Sequence, residues 1–109
     1  MKVVALRSVI KYLNNLVLIL HREEYFGFKE SAKKYVDELL DDITANLATH
    51  LRKPAPKYFD KYGKDMYYAV FRKSKHTQWY VFFKTDWEKG EEIYKIRYIS
   101  NNHVIAQYL

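Results

Sequence analysis

Residues 66–100 read MYYAVFRKSKHTQWYVFFKTDWEKGEEIYKIRYIS. Three runs within this stretch, MYYAVFRK, QWYVFFKT and EEIYKIRYIS, are rich in Tyr, Val, Phe and Ile and alternate with a period of two. The polar SKHT and DWEKG, with Gly90, separate them and are too short to return the chain for parallel pairing. The stretch therefore specifies a three-stranded antiparallel meander. Alternation along the last run sends Ile93, Lys95, Arg97 and Ile99 to one face, and Tyr94, Ile96 and Tyr98 to the other. On the first run Met66, Tyr68, Val70 and Arg72 alternate with Tyr67, Ala69, Phe71 and Lys73, so either Arg72 or Lys73 shares the face of Lys95 and Arg97.

Upstream the period changes to that of a helix. Val9, Tyr12, Leu13, Leu16, Ile19 and Leu20 lie on one stripe, which predicts a helix over 9–24 with Ser8 as its N-cap. Tyr25-Phe26-Gly27-Phe28 breaks it, Gly27 being the natural place for a turn. A second stripe, Ala32, Tyr35, Val36, Leu39, Leu40, Ile43 and Leu47, predicts a helix over 29–48, joined to the first as an antiparallel hairpin. Before them, the β-branched KVVAL at 2–6 reads as a short first strand. Pro54 and Pro56 forbid further helix and leave 50–65 as a loop or short extended passage. The expected architecture is one α+β domain over 1–109, with both helices on one sheet face and the opposite face open.

Composition narrows the function classes. With no cysteine in 109 residues, disulfides and thiolate metal sites are excluded and a reducing, cytoplasmic home is expected. The longest aliphatic run extends only from Leu16 to Leu20, too short to span a bilayer, and Lys2 and Arg7 flank no signal-peptide core. Neither an HxH or HExxH spacing nor a glycine-rich phosphate loop occurs, so no metal, cofactor or nucleotide hydrolysis is expected. The net charge of +6 is gathered in one quarter of the chain. Arg52, Lys53, Lys57, Lys61, Lys64, Arg72, Lys73 and Lys75 face only Asp60 and Asp65 there, while the flanking segments are each balanced. Interleaved with Tyr58, Phe59 and Tyr62, these cations suggest a surface for a polyanion, with phosphate contacts that give affinity without base specificity.

KYVDELLDDI in the second helix, the MYYAVFRK and WYVFFKT hairpin, and EIYKIRYISNNHVIAQYL at the end together resemble the RelE/ParE family of bacterial type II toxins over essentially the whole chain. The resemblance implies a small toxin, silenced by an acidic or amphipathic, partly disordered antitoxin. It also implies one of two targets: messenger RNA on the ribosome, cut by an endoribonuclease, or DNA gyrase, inhibited without nuclease activity. A third possibility is a degenerate member that only binds its antitoxin and DNA. It places Arg97 at the family's last-strand basic position, Arg72 or Lys73 at the second-strand one, and His103 and Tyr108 in the tail where ribonuclease members carry a catalytic His or Tyr. Ser100 follows Ile99 where many members have a histidine.

Cleavage of RNA through its own 2′-OH needs a base, an acid and cations at the phosphorane. Arg72 and Arg97 suit the electrostatic role, because a guanidinium stays charged and grips phosphate oxygens in a fork. His76, His103 and Tyr108 are the acid–base groups at hand. His21 and His50, at the helix ends, are expected to oppose the helix dipoles. Tyr67, Tyr68, Phe71, Trp79, Tyr80, Phe82 and Phe83 offer rings on which bases could stack, but a domain this small has one interior and most of them must be core.

Overall fold

The computed structural model describes residues 2–22 and 29–109, with the Lys29 side chain excepted. The chain runs as β1 (Lys2–Ala5), α1 (Arg7–Arg22), α2 (Lys29–Asn46), β2 (Arg52–Pro54), β3 (Tyr67–Arg72), β4 (Gln78–Glu88), β5 (Glu91–Asn101) and α3 (Asn102–Ile105). Three short 3-10 helices, Leu47–Thr49, Lys57–Tyr62 and Ala106–Tyr108, complete it. The expected turn at 25–28 lies outside the described residues. Among the described residues no helix is long and apolar enough to cross a membrane.

The meander is present, inside a larger mixed sheet. Its order is β1-β5-β4-β3-β2, with β1 parallel to β5 and the other pairs antiparallel. The connection between these parallel strands contains both helices and strands β2 to β4, and the helical pair carries the chain from β1 at one sheet edge to β2 at the other. A fifth strand, β2, occupies part of the 50–65 segment expected to be a loop or short extended passage, with Pro54 on the sheet edge where a missing N–H costs no ladder bond. The β4–β5 turn is tighter than expected. Asp86–Glu88 extend β4, and only Lys89 and Gly90, with φ of 52° and 76°, make the two-residue connection.

Helix α1 starts one residue earlier than its expected cap. The Leu6 carbonyl accepts from the N–H groups of Val9 and Ile10, so Leu6 is the N-cap and Ser8 lies within the first turn. Val9, Leu13 and Leu16 of α1, with Val36, Leu39 and Ile43 of α2, are buried against Ala69, Phe71, Trp79, Val81, Phe83 and Tyr94 of the sheet. His50 ends this layer. Its ring stacks on Phe71 at 3.9 Å, and its Nδ1 is 3.0 Å from the Asn46 carbonyl, which accepts from it.

The opposite face of the sheet is closed, which corrects the expectation of an open working surface. Phe59 from the Lys57–Tyr62 3-10 helix and Ile105 from α3 are buried against Met66 and Phe82, with Tyr68, Tyr80 and Tyr98 packed around them. A bulge explains why alternation misplaced the last strand. Phe82 pairs with Tyr98 but Phe83 pairs with Ile96, so Arg97 is an extra residue in β5. Beyond it the faces exchange: Ile99 joins Tyr94 and Ile96 on the helix side, and Tyr98 turns to the second layer. Of the seven meander rings considered for base stacking only Tyr67 is exposed, as a single small interior requires.

The second core gives a test. Phe59→Ala is expected to cost about 3–5 kcal/mol in urea unfolding, as for any fully buried aromatic ring. A loss below about 1 kcal/mol would mean that the face is open after all.

Candidate functional site

The bulge, the 3-10 helix and the first turn of α1 meet at Arg97. Pro56 and Gly63 bracket Lys57–Tyr62, a proline at the entry and a glycine just past the end, which is the punctuation of a short helical turn. Gly63 has φ of 153°, a conformation that side chains rarely adopt. A Cβ there would lie 2.7 Å from Arg97 Nε and 2.9 Å from its Cδ. Glycine is therefore required twice, for the backbone and for the passage of the arginine stem. Arg97 Nε donates to the Tyr62 carbonyl at 2.8 Å. Tyr62 in turn stacks on Tyr98 at 3.8 Å with their planes 5° apart.

Arg97 is half-buried and lines a cavity of about 420 Å³, facing Ser8, Tyr12, Tyr62, Ser100 and Val104. Among the described residues no carboxylate pairs with its guanidinium. A cation held by its Nε, whose terminal nitrogens have no protein partner among the described residues, is suited to an anion that enters the cleft. Burial and the neighbouring Tyr98 hydroxyl push the Tyr62 phenol up to about 12. Burial also raises Tyr12, and Tyr98 adds to it. At neutral pH both phenols are hydrogen-bond donors.

A second tyrosine group lies at the other end of the same 3-10 helix. Tyr58 stacks on Tyr108 at 3.6 Å, and the Lys61 ammonium sits 4.0 Å from the Tyr58 ring centre. The hydrogen bond from Lys61 lowers the Tyr58 phenol, assisted by Tyr108, while Tyr108 itself is raised by its bond to Tyr58.

The residues expected to form a site are only partly gathered. Arg97 lies in the cleft, and Tyr108 is packed on Tyr58. His103 lies in an adjoining cavity, exposed, with Nε2 3.3 Å from Thr77 Oγ1. Arg72 is exposed at the end of β3, paired with Gln78. Lys73 approaches the ring of Tyr35, on α2, at 5.3 Å, which puts Lys73 on the helix side and Arg72 on the other. The basic segment divides in the same way. The Arg52 guanidinium lies 5.2 Å from the Tyr67 ring and 5.8 Å from the Tyr94 ring, on the helix side of the sheet. Lys57, Lys61 and Lys64 project from the turn that covers the other face, and Lys53 and Lys75 are exposed on β2 and the β3–β4 loop. Tyr12, read only as a helix-stripe position, Tyr62, read only as one aromatic among the cations, and Gly63 also belong to the cleft. The Pro-to-Gly bracket around PKYFDKYG is the sequence signal that could have found the last two.

Comparison with known proteins finds no matching family model, no similar curated protein and no similar solved structure.

Two outcomes check this geometry. Gly63→Ala should destabilise the chain by about 1–3 kcal/mol. It should cost measurably less in an Arg97→Ala background, where the clash is absent; additive losses in a urea double-mutant cycle would break the link. Tyr62, raised above its unfolded value, stabilises the fold fully below about pH 10 and loses that contribution as pH rises towards 12. Tyrosinate absorbance should accordingly show a late-ionising phenol that Tyr62→Phe removes, and a titration unchanged by that substitution would contradict the assignment.

Proposed function

We propose that this chain is a RelE/ParE-type toxin that acts on RNA, and that Arg97 is its phosphate-binding residue. The observation that supports the reading is the Arg97 guanidinium, fixed through Nε by the Tyr62 carbonyl beside a cleft and without a carboxylate partner among the described residues. Lys57, Lys61 and Lys64, exposed on the turn that holds it, provide the approach for a polyanionic backbone. A helical pair on one face of a sheet that ends in an arginine-bearing strand is the arrangement the sequence resemblance implies.

On this reading Arg97 holds the non-bridging oxygens of the scissile phosphate, and its fixed orientation adds no reorganisation cost as charge develops. Tyr12 donates a hydrogen bond from the cleft wall, and the Tyr62 hydroxyl, bonded to Tyr98, holds its side of the cleft in place. His103, across Val104 in the adjoining cavity, is the imidazole offered for proton transfer at the 2′-OH or the leaving 5′ oxygen. Tyr108 acts through Tyr58, bracing the 3-10 helix, and Arg72 contributes a peripheral phosphate contact.

One observation favours a protein-directed alternative. Leu18 and Leu40 are exposed beside a groove between α1 and α2 lined by Leu13, Val17 and Val36. This apolar surface suits an amphipathic partner segment, either the antitoxin of the first reading or gyrase in a toxin without nuclease activity.

Induced expression should arrest growth, and primer extension on cellular mRNA should show cuts inside translated codons that Arg97→Ala removes. Intact message together with accumulated gyrase–DNA breaks would replace this reading with the second. For binding alone, Lys57→Glu combined with Lys61→Glu should flatten the salt dependence of RNA affinity, by about 0.7 in log–log slope for each phosphate no longer neutralised. An unchanged slope would remove the turn from the interface.

A further inference from the structure

The cleft at Arg97 exists because β1 is shorter than β5. Strand β1 pairs with β5 only as far as Ala5 opposite Ile96, and the Leu6 N–H then donates to the Ile96 carbonyl at 3.0 Å. There the chain turns into α1, while β5 continues to Asn101. Arg97 to Ser100 therefore have no strand on that side, and the first turn of α1 lines the cleft opposite them through Ser8 and Val9.

Two polar features of this cleft are left unanswered by the fold. The first is the N-terminus of α1. Leu6 has no side-chain acceptor to offer as its cap, and the first turn holds no acidic residue. The N–H groups of Arg7 and Ser8 consequently have no acceptor among the described residues, and they form the positive end of a 16-residue helix. The second feature is Ser100. It is only 4% exposed, and among the described residues its hydroxyl has no hydrogen-bond partner. No side-chain oxygen or nitrogen sealed from solvent among those residues lacks a partner, so the Ser100 hydroxyl reaches open space, and the cavity it lines is the Arg97 cleft. A serine withdrawn from water with nothing to bond costs free energy that alanine would not, and such a group calls for a ligand.

We infer that the first turn of α1, the Ser100 hydroxyl and the Arg97 guanidinium form one oxyanion site, which takes a phosphate group. The inference rests on the RNA reading for the source of that phosphate and adds the groups that share it with Arg97. Backbone N–H, hydroxyl and guanidinium are all donors here, and among the described residues no carboxylate lines the cleft. A phosphate directs its oxygens tetrahedrally, so one group can meet the arginine fork and still reach the helix end and Ser100. A planar carboxylate directs both oxygens into such a fork.

Nitrogen–proton NMR titrations test the site with inorganic phosphate, with a 2′-O-methyl RNA hexamer ending in hydroxyls, and with the same hexamer bearing a 5′-phosphate. Inorganic phosphate should shift the Arg7 and Ser8 amide signals and the Arg97 Nε–H, and chloride at matched ionic strength should not. Ser100→Ala should weaken phosphate binding at least about tenfold, the effect of one hydrogen bond to a charged group. It should leave the urea midpoint unchanged or higher, because an unpartnered hydroxyl gives the fold nothing. A lowered midpoint with unaltered phosphate affinity overturns the inference, since a serine that serves only the fold behaves that way. Phosphate shifts confined to Lys57, Lys61 and Lys64 overturn it too. Equal dependence of both hexamers on Ser100 assigns the site to a diester within the strand, and dependence of the phosphorylated hexamer alone assigns it to a strand end. Hexamer binding that needs Arg97 but not Ser100 overturns the site and leaves the RNA reading intact. Phosphate bound through Ser100 with neither hexamer bound upholds the site and removes the RNA reading.

Discussion

The hydrogen bond from Arg97 Nε to the Tyr62 carbonyl ties together three parts of the chain that are distant in sequence. On one side is the bulge, which inserts Arg97 into β5 and turns Tyr98 towards the second layer. On the other is the 3-10 helix, which can come this close only because Gly63 has no Cβ. Between them Tyr62 and Tyr98 stack, and the first turn of α1 closes the cleft. If the arginine were paired with a carboxylate here, the site would be neutral and structural. With no such partner among the described residues, the fold commits a half-buried cation to a cleft instead of to a salt bridge. Leaving a charge in that position is costly in stability terms and is the common signature of a ligand site.

Much of the architecture was legible in the sequence, for a physical reason. The stripes of α1 and α2 and the alternation of β3 and β4 are single-period patterns over many residues, and each buries against one layer. Agreement between period, glycine placement and composition fixes such elements locally. Arg97 stood out in the sequence as a candidate because alternation sets it on the face opposite Tyr94, Ile96 and Tyr98. What failed was anything set by a single residue or by distant partners. The bulge adds one residue to β5, and period-two reasoning cannot detect an insertion that exchanges faces beyond it. The covering of the second face depends on Phe59 and Ile105, which lie in short segments that carry no periodicity. The parallel pairing of β1 with β5 joins the ends of the chain and leaves no local trace.

The same reasoning accounts for the scattered candidates. Charge along a sequence reports where cations are, not which side of a sheet they reach. Arg52 and Lys73 end on the helix side against aromatic rings, while Lys57, Lys61 and Lys64 ride on the turn that covers the other face. The basic quarter of the chain wraps the β2–β3 edge of the sheet. In the proposed mechanism its lysines on the 3-10 helix guide a phosphate backbone to Arg97, which the Tyr62 carbonyl fixes in the cleft.

A structure of the protein bound to a 2′-O-methyl ribo-oligonucleotide, which keeps the phosphates and lacks the attacking hydroxyl, tests that claim most directly. The account predicts a phosphate within hydrogen-bond distance of the Arg97 guanidinium, between the first turn of α1 and Tyr62. Density for the backbone only along the exposed lysines, with the Arg97 cleft filled by water, would contradict it.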